Sequence, residues 1–395
     1  MSTLFERTQQ SLIKRRQNLL NGKINSITSP FLRFKNDFVG LEQGCFYCVT
    51  SYTKGGKTQF VLFLLFEALL YIMEHPNAAR MKVLYFALEE NDERILQRFE
   101  SYLLLKLDKI RISPRDLRST SNDKPVPKEI LDLLASEKYQ RYIRAFEEHF
   151  EFSTVSNPTG IYKMCRTYAE NTGVTHYKTI QVKSEFGEGM EDRNVFDFYT
   201  QNDPNEFRFV VCDHISLIAS EKGMTIKESV DKLSKYFVEL RNRYNFSPIV
   251  IQQQSTENES NDSFKLKNIR PSARGLSDSK YVARDVNCLL GLFSPYKFGL
   301  GEYMGYDITL FKDRIRFFEV CLTRDGEVGG LVALYFDGAT STFRELPLPD
   351  SEEIKVWYKR LEQLRDKKQE NGSTTNREKT RTAVQPQTTG TLWQA

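Results

Sequence analysis

SYTKGGKT, Ser51 to Thr58, decides how this chain folds. A phosphate-binding loop reads glycine, four residues, then Gly-Lys-Ser/Thr. Gly56, Lys57 and Thr58 meet the second half of that pattern, while Ser51 stands where the first glycine belongs. The flanks are therefore decisive. CFYCVT (45–50) is apolar, aromatic and β-branched, and predicts a strand. The apolar run that follows predicts a buried helix over 59–74. Strand, loop and helix form the context the motif requires. In that context, loop amides wrap phosphates and the helix N-terminus adds its positive dipole end. Lys57 brings charge to the β- and γ-phosphates, and Thr58 offers its hydroxyl to Mg²⁺. The tight turn needs a small first residue, which Ser51 is. Gly55 and Gly56 free the backbone where a phosphate comes closest. ATP and Mg²⁺ are the implied ligands.

Working outward, the 395 residues suffice for one large domain or two small ones, with 40% hydrophobic residues to build a core. A net charge of +4 excludes a uniformly basic surface but not a local basic patch. Six cysteines form no four-ligand zinc set, and Cys45 and Cys48 read as core thiols on a strand. Free thiols and the absence of a signal-peptide pattern predict a reducing cytoplasm. Phe60 to Met73 is too short to span a membrane and Glu67 interrupts it, so no membrane partner is expected.

Alternation continues along the chain. Strands are expected at 83–88, 150–155, 208–213 and 248–254, and helices at 91–106, 128–149, 159–171 and 225–244. This predicts an α/β fold with a central, mostly parallel sheet flanked by helices. From 286 the strands follow one another, at 286–293, 306–312, 315–323 and 331–336, which predicts antiparallel additions at the C-terminal side. Residues 1–22 read as an amphipathic helix and 23–43 as a linker. The polar, aromatic stretch 174–206 reads as a surface insertion within a 44–350 domain. A charged helix over 351–371 and a disordered tail over 372–395 complete the chain.

RFVVCD ends an apolar run on Asp213. That is the place for a carboxylate that holds Mg²⁺, and equally for a helix cap. VLYFAL leads to Glu89 and Glu90, either of which can polarise an attacking water or simply form an acidic turn. Gln252 to Gln254 close another strand, where an amide can sense a γ-phosphate or serve as a polar strand end.

Taken in order over about 35 to 346, these segments resemble the RecA-type motor domain of DnaB-family (superfamily 4) replicative helicases. VLYFALEENDERILQRF resembles the family's strand, glutamate and helix, which sets Glu89 at the catalytic base. RFVVCDHISLI resembles its Walker B segment, and Asp-His-Ile-Ser is also similar to phage primase-helicases. PIVIQQQS resembles its third motif, which sets Gln254 at the sensor glutamine. IRPSARGLSDSKYVARDVN resembles its DNA-binding loop region, with Arg274, Lys280 and Arg284 as candidate contacts or an ordinary solvated basic loop. CLTRDGEVGGLVALYFDGATSTFREL resembles the closing strands, where Arg324 takes the arginine-finger position.

The resemblance implies ATP hydrolysis, a homo-hexameric ring, single-stranded DNA in its channel, and a primase or helicase loader as further partner. For a phage-encoded chain the compartment is the bacterial host cytoplasm. Departures are the finger motif, where Leu322-Thr323-Arg324 lacks the usual lysine, and the DNA loop. There the family's Arg-Glu-Ser-Gly aligns with Ser277-Asp278-Ser279-Lys280. No counterpart of the family's N-terminal collar is expected. A RecA-like recombinase or single-strand-binding ATPase is one rival reading, and a weakly hydrolysing ring or loader factor another. In the first helix Phe5, Leu12 and Leu19 recur every seven residues, widened by Leu4, Ile13 and Leu20. That stripe needs a partner surface, either a neighbouring copy or the chain's own core.

Overall fold

The computed structural model describes residues 3–183, 189–255, 269–277, 279–326 and 328–374. Its centre is a nine-stranded sheet. In chain order the strands are β1 (Ser26–Thr28), β2 (Gly40–Glu42), β3 (Tyr47–Ser51), β4 (Arg80–Ala87), β5 (Phe150–Ser153), β6 (Gly173–Lys183), β7 (Met190–Gln201), β8 (Glu206–Asp213), β9 (Ser247–Gln253), β10 (Cys288–Phe293), β11 (Glu302–Tyr303), β12 (Tyr306–Asp307), β13 (Ile315–Thr323), β14 (Leu331–Asp337) and β15 (Thr342–Glu345). The sheet order is β15-β14-β13-β10-β3-β9-β8-β4-β5. From β10 to β5 the pairs are parallel, and β13, β14 and β15 each add antiparallel.

Parallel strands covered on both faces should be apolar throughout, and β3 and β10 are buried at every residue. One face is covered by α2 (Lys57–Glu74) and α3 (Asp92–Asp108), the other by α7 (Pro158–Asn171) and α8 (Ile226–Tyr244). Capping sets the helix starts. Asn91 accepts from the Arg94 amide at 3.2 Å, and Thr225 and Glu228 form a reciprocal capping box ahead of α8. No described helix is long and apolar enough to cross a membrane.

Three expectations need correction. Residues 23–43 are part of the fold: β1 pairs with β2, and Phe31, Phe34 and Phe38 are buried against Phe318. Their spacing of three and then four residues has a helical period, and the Phe34, Asp37 and Phe38 amides bond back three or four residues, but the stretch is a run of turns too short to read as a helix. The helix expected over 128–149 is two, Lys128–Leu134 and Glu137–His149, separated at Ala135 and Ser136. The strand expected over 306–312 is β12 and one helical turn, Ile308–Phe311, started by the Asp307 carboxylate accepting from the Thr309 and Leu310 amides. The charged helix expected over 351–371 is Glu352–Thr374, and its Ile354, Trp357 and Leu361 are buried in a third core cluster.

The insertion is a hairpin, β6 pairing antiparallel with β7. The tail expected over 372–395 lies, from 375 onward, outside the described residues. The first helix, α1 (Leu4–Leu20), is tied back through Arg15 to Glu42 at 3.4 Å and through the Arg15 carbonyl to Asn25. Its apolar residues face outward: Phe5, Leu12, Ile13, Leu19 and Leu20 are each more than half exposed, at 71, 56, 64, 62 and 62%.

Candidate nucleotide site

β3 ends at Ser51 and α2 begins at Lys57, so residues 52–56 make the turn between sheet and helix. Gly56 caps the helix at φ +96°, a conformation that favours glycine. Gly55 answers the question of the missing glycine. A Cβ there would lie 1.6 Å from the Ser51 hydroxyl oxygen. The serine side chain fills the space a side chain at 55 would need, so the loop keeps its close turn by moving its glycine. Gly55→Ala is therefore expected to weaken ADP binding by about tenfold or more, the scale of overpacking in a closed site. Ser51→Gly should stay within about threefold of the parent, since glycine fits the same turn. Titration calorimetry with ADP checks both.

The strand ends deliver the acids. Thr58 donates to Asp213 Oδ1 at 3.0 Å, and Tyr85 donates to Oδ2 at 2.7 Å. Burial, helped by Glu89 and Glu90, pushes the Asp213 carboxyl up to about 6 against the pull of those two donors. A buried carboxylate beside a hydroxyl, at the mouth of a phosphate loop, is a fitting donor set for Mg²⁺. Lys57 lies folded on its own loop, donating to the Ser51 and Tyr52 carbonyls at 3.3 Å each. Burial lowers its ammonium pKa, while Glu89 and Asp213 oppose that fall.

The β4–β8 register sets Ala87 against Asp213, so Glu89 follows directly at the same sheet end. The two glutamates are not equivalent. Glu90 is held by Arg98 in two hydrogen bonds, of 2.7 and 2.6 Å. No described residue pairs with Glu89 in that way. Arg98 belongs to a cluster that the sequence reading missed. With Arg94, Arg115 and Arg118 it lines a cleft of about 210 Å³, closed by Gly338 and Ala339. The Gly338 carbonyl accepts from Gln59 at 3.2 Å, which ties the cleft to the first turn of α2.

The glutamines separate by strand alternation. Gln254 does not reach the loop's phosphate side. It is 1% exposed, donates to Thr50 Oγ1 and the Ser272 carbonyl, and accepts from the Ser272 amide. Gln252 points to the same region, donating to the Ser279 carbonyl at 3.0 Å. Gln253, paired in register with Ser51, turns the other way and bonds the Thr53 hydroxyl. The amide beside the phosphate loop is therefore Gln253, and Gln254 anchors the segment that follows.

The described residues of that segment, 269–277 and 279–287, lead from the bridge between Leu276 and Gln254 to the start of β10. Arg274 is exposed in a short turn, and Lys280 is exposed at the start of the helix Tyr281–Asp285. Arg284 lies over the Tyr281 ring at 4.8 Å. Asp278, inside the segment aligned with the family's DNA loop, lies outside the described residues. Arg324 sits at the far end of the sheet from Lys57. Its neighbour Thr323 pairs with Cys288, which pairs with Tyr47, the first residue of β3. The Arg324 guanidinium is held there by the Val286 carbonyl at 3.0 Å and by the Arg284 carbonyl. The phosphate loop begins beyond the last residue of β3, about 13 Å further along at 3.3 Å per residue.

The fold is a RecA-like α/β domain, with a Gly-Lys-Thr loop between β3 and α2 at the ends of its parallel strands. Among solved structures, the chain is similar to the ATPase domain of G40P, with a TM-score of 0.57 and 15% identity, covering 86% of this chain and 98% of that one. It is also similar to a DnaB-like replicative helicase described with its interactions with primase, at TM-score 0.58 and 14% identity, over 88% of this chain and 68% of that one. The fold is thus the RecA-type form found in DnaB-like replicative helicases. No family model and no curated protein matches the chain.

Proposed function

We propose that this chain is an ATP-dependent replicative DNA helicase. It assembles as a homo-hexameric ring, moves 5′–3′ on single-stranded DNA, and unwinds the duplex at the fork. The observation that carries the reading is the distance along one chain between the phosphate loop and Arg324. An arginine a strand's length from its own loop can serve a second copy's loop, and a closed ring repeats that contact at every interface.

The residues divide the work. The amides around Gly55 and Gly56 hold the phosphates, and Lys57 adds charge where the β- and γ-phosphates lie. Thr58 and Asp213 would hold Mg²⁺, which when bound would supply charge neutralisation at the phosphates. Glu89, which faces the charge of Lys57 and has no hydrogen-bond partner among the described residues, orients the attacking water. Gln253 reports on the loop through Thr53, and Gln254 ties the same strand to the segment bearing Arg274, Lys280 and Arg284. Those three contact the DNA backbone. A primase or loader is the further partner class. The deciding assay is ATP turnover with and without single-stranded DNA, coupled to unwinding of a forked duplex. Stimulated turnover with unwinding supports the helicase. Stimulated turnover with filaments and no unwinding supports the recombinase-like rival.

The α1 stripe supports the ring. Four or five such side chains contribute roughly 1.5–3 kcal/mol each when buried, before ordering costs. Deleting residues 1–22 is expected to leave a folded, ADP-binding chain that no longer forms hexamers at micromolar concentration. Its DNA-stimulated turnover should fall with the assembly. Mass photometry of the deletion checks this, and intact hexamers would refute the docking role of α1.

A further inference from the structure

Ile315, Phe317 and Phe318 give β13 an apolar core run, and Arg316 interrupts it. Its side chain is wholly buried. A guanidinium without water has to find its partners inside the fold. Arg316 does so through four hydrogen bonds. Nε donates to the Gly55 carbonyl at 2.8 Å. Nη1 donates to the Asp313 and Ile315 carbonyls at 2.8 and 2.9 Å, and Nη2 to the Asp313 carboxylate at 2.9 Å. Its plane lies over the Phe336 ring at 4.6 Å, and that ring comes within 3.3 Å of where a Cβ on Gly56 would stand. One arginine thus joins the antiparallel edge of the sheet to the phosphate loop, across 261 residues of sequence.

The partner on the loop matters most. Gly55 has no side chain to steady it, and glycine backbones are the least constrained. The Gly55 carbonyl and the Gly56 amide share one trans peptide plane, so the C=O and N–H bonds point in opposite directions. Fixing the carbonyl fixes the direction of the amide.

We propose that Arg316 is the positioning residue of the phosphate loop: by holding the Gly55 carbonyl it presents the Gly56 amide to the phosphates of a bound nucleoside di- or triphosphate. Asp313 and Phe336 hold the guanidinium in turn. The proposal rests on the nucleotide-site reading above. It adds to that site a cationic side chain that never touches the ligand and comes from the opposite end of the chain.

The test is a titration with a fluorescent ADP analogue, reading both Kd and the fraction of chains that bind. Arg316→Lys keeps the charge but loses the fork that reaches Gly55 and Asp313 together. It should raise Kd by about tenfold or more, the scale of one hydrogen bond to a charged group, with every chain still binding. If Arg316 only stabilises the fold, Kd stays at the parent value while the binding fraction falls, and the proposal is overturned. Should Arg316→Lys not fold, Asp313→Asn at the half-exposed end of the pair loosens the guanidinium without removing it. It should raise Kd about two- to fivefold, less than the loss of a whole charge-assisted bond, and an unchanged Kd overturns the proposal. Lys57→Ala separates the two readings. If the parent chain and Lys57→Ala bind ADP alike, the nucleotide site itself is wrong. If Lys57→Ala loses binding and the Arg316 variants keep the parent Kd, only the positioning role fails.

Discussion

Arg324→Ala is expected to bind nucleotide as the parent chain does and to lose about 10³–10⁵ of its DNA-stimulated turnover, the range for comparable arginine fingers. The unequal effect follows from where the residue sits. Arg324 lies at the start of the β3–β10 ladder and the phosphate loop at its end, so removing the guanidinium leaves the chain's own cradle intact. In the proposed ring, what disappears is the charge that meets a neighbour's γ-phosphate as the bond breaks. Arg324→Lys should recover little, because a point charge cannot reproduce the planar fork. Single-turnover hydrolysis alongside ADP titration separates the two effects. Equal losses of binding and turnover would make Arg324 a structural clamp on the Val286 and Arg284 carbonyls.

Lys57→Ala and Glu89→Gln are both expected to abolish steady-state hydrolysis, by different routes. The lysine interacts with ground state and transition state alike, so its loss weakens nucleotide binding as well as turnover. Glu89→Gln keeps the shape of the side chain and removes its basicity. It should bind ATP as the parent does and lose turnover by several kcal/mol of barrier. Glu90→Gln provides the contrast. Glu90 is committed to Arg98, so this change disturbs the arginine-lined cleft before it disturbs the water. If Glu89→Gln hydrolysed ATP at near the parent rate and Glu90→Gln did not, the base assignment would pass to the neighbour.

Much of the architecture was legible because the parallel strands are short apolar runs and the helices between them have clear caps. The helix expected over 225–244 is α8, Ile226–Tyr244, started by the Thr225–Glu228 box. What escaped was short. Phe31, Phe34 and Phe38 have a helical spacing over only two turns, between Pro30 and Gly40, so 23–43 reads as a linker although all three enter the core. Residues 306–312 are apolar enough for a strand, but the Asp307 side chain captures two amides and turns the chain into a helix.

At the site, the loop could be read at once from Gly56, Lys57 and Thr58. The glutamine could not, because three adjacent amides look alike until the register fixes which one faces Ser51. Arg316 carried a different signal, a single arginine within an apolar strand. A buried charge of that kind has a partner somewhere, but sequence spacing could not reveal that the partner is the Gly55 carbonyl.

The central claim is that each working site is built from two copies of the chain, and a mixing experiment tests it most directly. Arg324→Ala chains carry an intact loop without a finger, and Lys57→Ala chains an intact finger without a working loop. Each alone should be inactive in DNA-stimulated ATP hydrolysis. Combined into rings verified to contain both, they should regain turnover at the interfaces that pair one intact loop with one intact finger. Verified mixed rings that stay as inactive as either parent would contradict the composite site.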